Sequence, residues 1–227
     1  MNWINSFHLF LFDFDGLLVN TEEVHYLAYQ KMCASYGLKM EWNFEEYCTL
    51  AHYSADALKN KLKKNYPQLF EKEPNWSVLY AKKKEIVIDL MKNGPISLMP
   101  GVEQLLLHLE KAKIKRCVVT NSPKELVDVL KVKHKVLQTI PHWFTREDYT
   151  EPKPHPESYL HAIKKLHSEN ERIVGFEDTP RGITALLKTP AQPVLICTTK
   201  YPEISEFKKN GVFHFNTFED INDSSFG

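Results

Sequence analysis

Four short segments hold the residues of this chain best suited to chemistry. The first is Asp13-Phe14-Asp15-Gly16. Two carboxylates one residue apart repel each other unless a cation lies between them. A hard divalent ion with oxygen ligands, such as Mg2+, suits that pairing, although a turn with two solvated aspartates gives the same pattern. The second is Thr120-Asn121-Ser122, whose hydroxyls and backbone N–H groups could bind an anion at a strand-to-helix junction. A plain helix N-cap uses the same residue types. The third is Lys153 within Glu151-Pro152-Lys153-Pro154-His155-Pro156. Three prolines limit the backbone around one lysine, which is wasteful for a surface charge and useful for a working one. A rigid loop leading into a helix, with Pro156 near its start, is the alternative. The fourth, Glu177-Asp178-Thr179, adds carboxylates that could complete a cation site or cap a helix.

Something must bring these segments together. Residues 7–12 form a nearly continuous apolar run that ends at Asp13, and such a run fits a strand buried on both faces. Similar runs at 116–119, 173–176 and 194–197 alternate with helical patterns such as 102–113 and 156–167. Strands alternating with helices predict βαβ units in an α/β, doubly wound parallel sheet. Ligands of such sheets bind outside the carboxyl ends of the strands, where three of the runs carry their polar residues. The region 21–94 breaks the alternation. Thr21 can cap a helix with Glu22 and Glu23 in its first turn, and Gly37 sits where that helix should stop. Further helices are expected at 44–65 and 77–92, with Pro67 and Pro74 marking the break. The expected organisation is a core of residues 1–20 and 95–227 with a helical insert at 21–94. Hinge-like crossings fall at 18–21 and 94–101.

The bulk properties exclude some classes of partner. Among 227 residues, acidic and basic side chains balance at 29 each, so no global field points to nucleic acid or an anionic membrane. The lysine runs at 59–64 and 82–84 fit solvated helix faces. Cys33, Cys48, Cys117 and Cys197 include no C-x-x-C pair, which argues against a zinc site or a disulfide scaffold and for a reducing compartment. The apolar run at 7–12 is too short to span a membrane and lacks the flanks of a signal peptide. A cytoplasmic monomer is the expectation.

In their order, with a helical insert behind the first, the four motifs resemble the haloacid dehalogenase-like (HAD) superfamily. The resemblance runs from residue 7 to about residue 215, and Met99-Pro100-Gly101-Val102 recurs as a family substring. It is closest in kind to the branch of β-phosphoglucomutase and the sugar phosphatases with a helical cap. It implies a Rossmann-like core, an inserted helical cap, Mg2+ as cofactor and a small phosphorylated metabolite as substrate. By this resemblance Asp13 is the nucleophile and forms an aspartyl-phosphate, while Asp15 is general acid and then general base. Such an acid needs a raised pKa, which burial on cap closure could supply. The Asp13 carboxylate, the Asp15 carbonyl and Asp178 would hold the metal, with Glu177 as a further ligand. Thr120, Asn121 and Lys153 would hold the phosphoryl oxygens, with Gly16 and Ser122 in the same binding set. Haloacid dehalogenases and the phosphonate-cleaving relatives lack an aspartate at the position of Asp15, so phosphomonoester chemistry remains.

Within the branch, Thr21 and His25 match cap-linked residues of β-phosphoglucomutase, and Lys82 aligns with a lysine that reaches the substrate there. The mutase also carries a glycine and then an arginine that clamps its distal phosphate. Here the stretch is Ala51-His52-Tyr53-Ser54-Ala55-Asp56, without the bidentate cation that a second phosphate favours. A phosphatase of sugar phosphates or nucleotides is therefore expected first, with a hexose-phosphate mutase as the alternative. A catalytically inactive phosphate-binding protein is the alternative of another class. A phosphoacceptor signalling domain is shorter, lacks the insert and takes its acceptor from a different strand. Asn20 replaces a frequent aspartate. Residues 187–191 lack the usual small Ala-Gly pair, so the preceding helix should be short or reshaped.

Overall fold

A computed structural model of the chain describes residues 1–52 and 55–226. It divides into two compact units, 20–96 and the combination of 1–19 with 97–227. Among the described residues no helix is long and apolar enough to cross a membrane.

The unit 20–96 is helical: α1 (Glu22–Ser35), α2 (Phe44–Ala51), α3 (Ala55–Asn65), α4 (Pro67–Lys72) and α5 (Trp76–Asn93). Its core gathers Tyr29, Met32, Cys33, Trp42, Tyr47, Leu62 and Leu79, with α1 and α5 packed side by side. Thr21 occupies the N-cap position of α1, but its side chain makes no capping hydrogen bond, contrary to expectation. Gly37 follows the C-cap with φ of +72°, the left-handed stop that glycine tolerates. The pattern at 44–65 is two helices rather than one. Asn43 and Glu46 start the first with a capping box, and Tyr53 and Ser54 lie outside the described residues. The break marked by Pro67 and Pro74 does separate α3 from α5, but it holds a short helix: Pro67 begins α4, where its missing N–H costs no helical bond.

The other unit contains β1 (Leu9–Phe12), β2 (Lys115–Val119), β3 (His142–Phe144), β4 (Ile173–Glu177), β5 (Gln192–Ile196) and β6 (Phe213–Phe215). Their order is β3-β2-β1-β4-β5-β6, and every pairing is parallel. Helices α6 (Val102–Lys111), α7 (Lys124–Lys133), α8 (Glu157–Leu166), α9 (Pro180–Leu186) and α10 (Ile204–Lys209) lie between or after the strands. All of β1 and β4 is buried, so their continuous apolar runs follow from burial on both faces. Phe12 and Phe176 stack with centroids 5.3 Å apart, and Phe176 also meets Phe218 at 5.3 Å. Gly101, the N-cap of α6, has φ of +83°, and a Cβ there would come within 2.9 Å of Phe218 and the Glu219 backbone. α9 ends at Leu186 after seven residues, as the departure at 187–191 anticipates.

Register does the positioning. Phe12 pairs with Val118 on one side and Phe176 on the other. One residue further, Asp13, Val119 and Glu177 fall in a row at the carboxyl edge. This is where the chain order reverses about β1, the usual place for a ligand in a doubly wound sheet.

Candidate active site

The edge of the sheet concentrates charge in a buried place. Asp13, Glu177 and Asp178 are 8%, 1% and 5% exposed, and one carboxylate oxygen from each lies within 4.8 Å of the other two. The Lys153 ammonium enters this cluster. It donates to Asp13 Oδ1 at 2.5 Å, Glu177 Oε1 at 2.7 Å and the Val119 carbonyl at 2.7 Å. All three N–H bonds of the ammonium are thereby used.

Several groups hold the lysine and Glu177 in place. Asn121 Oδ1 accepts from the Lys153 backbone N–H at 3.2 Å. The Tyr149 hydroxyl lies 2.8 Å from Asn121 Oδ1 and 2.7 Å from the Thr120 carbonyl. Tyr159 donates to Glu177 Oε1 at 2.5 Å. Gly182 is packed so tightly against Glu177 that a Cβ would sit 2.0 Å from the carboxylate, which leaves room only for glycine. Neither tyrosine was foreseen from the sequence. Tyr159 belongs to the buried stripe of an amphipathic helix, where an aromatic ring suggests packing rather than a hydroxyl aimed at a carboxylate.

Burial dominates the electrostatics. It pushes the Asp13 carboxyl up to about 7 even though Lys153 pulls the other way, and the charges of Glu177 and Asp15 add to the rise. Burial works against the Lys153 charge, but Asp13 and Glu177 outweigh it and hold the ammonium above its usual range. Burial and then Glu177 keep Tyr159 protonated, well above an ordinary phenol.

Asp15 is placed differently. Its Oδ2 accepts from Ser122 Oγ at 2.6 Å and Thr120 Oγ1 at 3.3 Å, and Ser122 N–H donates to Thr120 Oγ1 at 3.0 Å. The convergent carboxylate group leaves Asp15's side chain out; its expected metal contact runs through the backbone carbonyl. Gly16, with φ of +78°, donates its N–H to the Val19 carbonyl at 2.9 Å. That amide closes a turn directly after Asp15.

In the helical unit, Thr21 is buried and its carbonyl accepts from the His25 N–H at 3.0 Å. Beside His25 stands Lys83, whose Nζ lies 2.7 Å from His25 Nδ1. It also sits 4.8 Å from the Tyr29 ring centre and 5.8 Å from that of Tyr80. Lys82 lies over Tyr36 at 4.8 Å. One residue along a helix is a turn of about 100°, so neighbouring lysines face different ways. The sequence holds the signal: Leu79, Lys83, Val87 and Met91 recur every four residues and form the buried face of α5.

A family model described as haloacid dehalogenase-like hydrolase matches residues 10–194. The chain belongs to the haloacid dehalogenase-like hydrolases. Protein CbbY of Rhodobacter capsulatus is 25% identical over 205 residues, covering 87% of this chain and 88% of the relative. A probable pseudouridine-5'-phosphatase of Drosophila melanogaster is 26% identical over 192 residues, covering 82% and 80%. Among solved structures, CbbY from Rhodobacter sphaeroides in complex with phosphate superposes with a TM-score of 0.74 at 24% identity, over 94% of this chain and 96% of that one. A structure of a predicted phosphoglycolate phosphatase from Haemophilus somnus gives 0.77 at 22%, over 95% and 96%. At these identities the two structures support the fold.

Haloacid dehalogenase-like hydrolases generally use Mg2+, and the donor set here suits such an ion. Asp13, Glu177 and Asp178 offer only hard oxygen ligands. Three carboxylates against the Lys153 ammonium leave two negative charges, which one divalent cation would neutralise. The same balance predicts how metal and pH combine. With its carboxyl raised from 3.8 to about 7, metal-free Asp13 binds a proton more readily folded than unfolded. That contribution to stability is complete below 3.8 and lost as pH rises through 7. A cation that replaces the proton should recover it. In thermal unfolding, Mg2+ should raise the midpoint more at pH 8 than at pH 5; an equal or reversed shift contradicts the assignment.

Proposed function

We propose that this protein is a Mg2+-dependent phosphatase of small phosphomonoesters, acting through an aspartyl-phosphate on Asp13. The observation that carries the reading is Asp13 at the end of β1, with Lys153 Nζ 2.5 Å from its Oδ1 and Glu177 and Asp178 in the same buried donor group.

An Asp13 oxygen attacks phosphorus in line, the P–O bond to the substrate alcohol breaks, and Asp15 gives that oxygen its proton. Asp15 then takes a proton from water, whose oxygen attacks the phosphoryl group and returns Asp13 as a carboxylate with inorganic phosphate. The Lys153 bond fixes the rotation of the Asp13 carboxylate, so attack requires little further ordering. Thr120 and Ser122, which hold Asp15 through their hydroxyls, supply donors that can also meet phosphoryl oxygens. When bound by Asp13, Asp178 and the Asp15 carbonyl, with Glu177 in support, Mg2+ supplies charge neutralisation for the transferring group. Of the residues that the family resemblance ties to the substrate, the helical unit carries Thr21, His25 and Lys82, with Lys83 beside His25. The substrate is a sugar phosphate or nucleotide; a probable pseudouridine-5'-phosphatase and a phosphorylated carbohydrates phosphatase among the relatives support that class. Four buried cysteines, none in a disulfide among the described residues, support a reducing, cytoplasmic setting.

The acid role gives Asp15→Asn a specific signature. The first-turnover release of an alkyl alcohol should slow by about 10²–10⁴, whereas release of p-nitrophenol, a leaving group that needs no proton, should slow much less. Equal losses with both esters would remove Asp15 from that role. The overall reading is tested by phosphorus NMR with Mg2+, β-glucose 1-phosphate and a trace of the 1,6-bisphosphate, followed by a panel of sugar and nucleoside monophosphates. Inorganic phosphate from any of these supports a phosphatase. Glucose 6-phosphate without inorganic phosphate identifies a mutase, and no turnover of the whole panel contradicts catalysis of this class.

A further inference from the structure

A second convergent set of donors lies wholly within the helical unit and takes no part in the chemistry above. Glu22 stands in the first turn of α1, while Cys48 and His52 stand at the end of α2. Cys48 and His52 are four residues apart, on one face of the helix, and the His52 N–H to Cys48 carbonyl bond of 3.1 Å holds that turn. Both are about 5% exposed. His52 Nε2 lies 3.2 Å from Glu22 Oε2, and one ligand atom from each of the three residues lies within 4.8 Å of the others.

We propose that Glu22, Cys48 and His52 form a binding site for a borderline-soft divalent metal of the zinc class, with water as the fourth ligand. The donors are one sulfur, one imidazole nitrogen and one carboxylate oxygen, a set that selects zinc-class ions over Mg2+. Bonds of about 2.0–2.3 Å in a tetrahedron place neighbouring donors roughly 3.3–3.7 Å apart. The Glu22–His52 separation is already close to that spacing, and the thiol has only a short distance to close. Charge also balances, because a dication with one thiolate and one carboxylate is neutral, which suits a buried position. Binding releases the Cys48 thiol proton. The metal joins the start of α1 to the end of α2, two residues after the chain enters this unit at Asn20. Scattered cysteines argued against zinc because sequence spacing shows only ligands that are neighbours in the chain. Glu22 joins the pair through folding.

Cobalt(II) titration of the full chain tests this directly, because a thiolate-to-cobalt charge-transfer band reports sulfur ligation whatever else binds. The wild type should show the band with one equivalent of cobalt, and zinc should displace it. Asp178→Asn should retain the band, which separates this site from the carboxylate cluster of the sheet unit. Cys48→Ser should abolish it and weaken zinc binding by at least about a hundredfold, since loss of an outer partner alone costs about 10–100-fold. His52→Gln should weaken binding in the same direction. In the unaltered protein, zinc should slow alkylation of Cys48, located by peptide mass, and should raise the unfolding midpoint. No thiolate band in the wild type, a band that survives Cys48→Ser, or alkylation of Cys48 indifferent to zinc would overturn the site.

Discussion

Asp13→Asn should lower kcat by on the order of 10⁴–10⁶, the loss seen when an enzyme's nucleophile is removed, and leave the protein folded. Asparagine keeps the shape of the side chain but not the electron pair that attacks phosphorus. Stability should hardly change. Burial already pushes the Asp13 carboxyl up to about 7, so a neutral group there relieves a cost, and Lys153 keeps Glu177 and the Val119 carbonyl as partners. The unfolding midpoint should move by no more than about 4 °C, roughly 1 kcal/mol for a chain of this size. Phosphate release followed against time, beside a melt of the same sample, checks both halves. Wild-type turnover removes Asp13 from the chemistry; a collapsed fold makes its role structural.

Lys153→Met should have the largest effect on stability. The ammonium is the only cation hydrogen-bonded to Asp13 or Glu177 among the described residues, and both carboxylates are buried. Removing one partner of a buried ion pair costs about 3–5 kcal/mol, because the other charge stays behind uncompensated. For a chain of this length that corresponds to about 6–20 °C in the unfolding midpoint. Two further results follow from the same cause. Adding Glu177→Gln to Lys153→Met should restore part of the loss, since it removes one uncompensated charge, and this coupling is what a double-mutant cycle measures. Mg2+ should stabilise Lys153→Met more than the wild type. A single variant as stable as the wild type, or a double variant less stable than both changes would give separately, would contradict the ion-pair account.

The sequence made the centre of the sheet unit legible because its strands are buried on both faces. Residues 9–12 and 173–177 are buried throughout, so their apolar runs are unbroken and end where the polar residues begin. β3 and β6 were not foreseen: each has three residues, at the edge of the sheet and mostly half-buried, so neither has a continuous apolar run. Pro67 marks the break after α3, but α4 within that break was not foreseen, because proline starts a helix as readily as it interrupts one. For the site, Asp13, Lys153, Glu177 and Asp178 stand at strand ends or between prolines, where a motif is visible along the chain. Tyr149, Tyr159 and Gly182 act through space. Nothing local distinguishes a core tyrosine from one whose hydroxyl holds a carboxylate. Lys83 lies between these cases, for its spacing from Leu79 and Val87 marks it as inward-facing once burial is weighed against the charge of its neighbours.

The covalent step is best tested by rapid acid quench of the Mg2+-loaded protein during turnover of a substrate from the panel, followed by mass spectrometry of the peptides. A phosphoryl group is expected on the peptide carrying Asp13, labile to hydroxylamine as an acyl phosphate should be, and absent from Asp13→Asn. Rapid turnover with no adduct at any quench time, or an adduct on another residue, would contradict it.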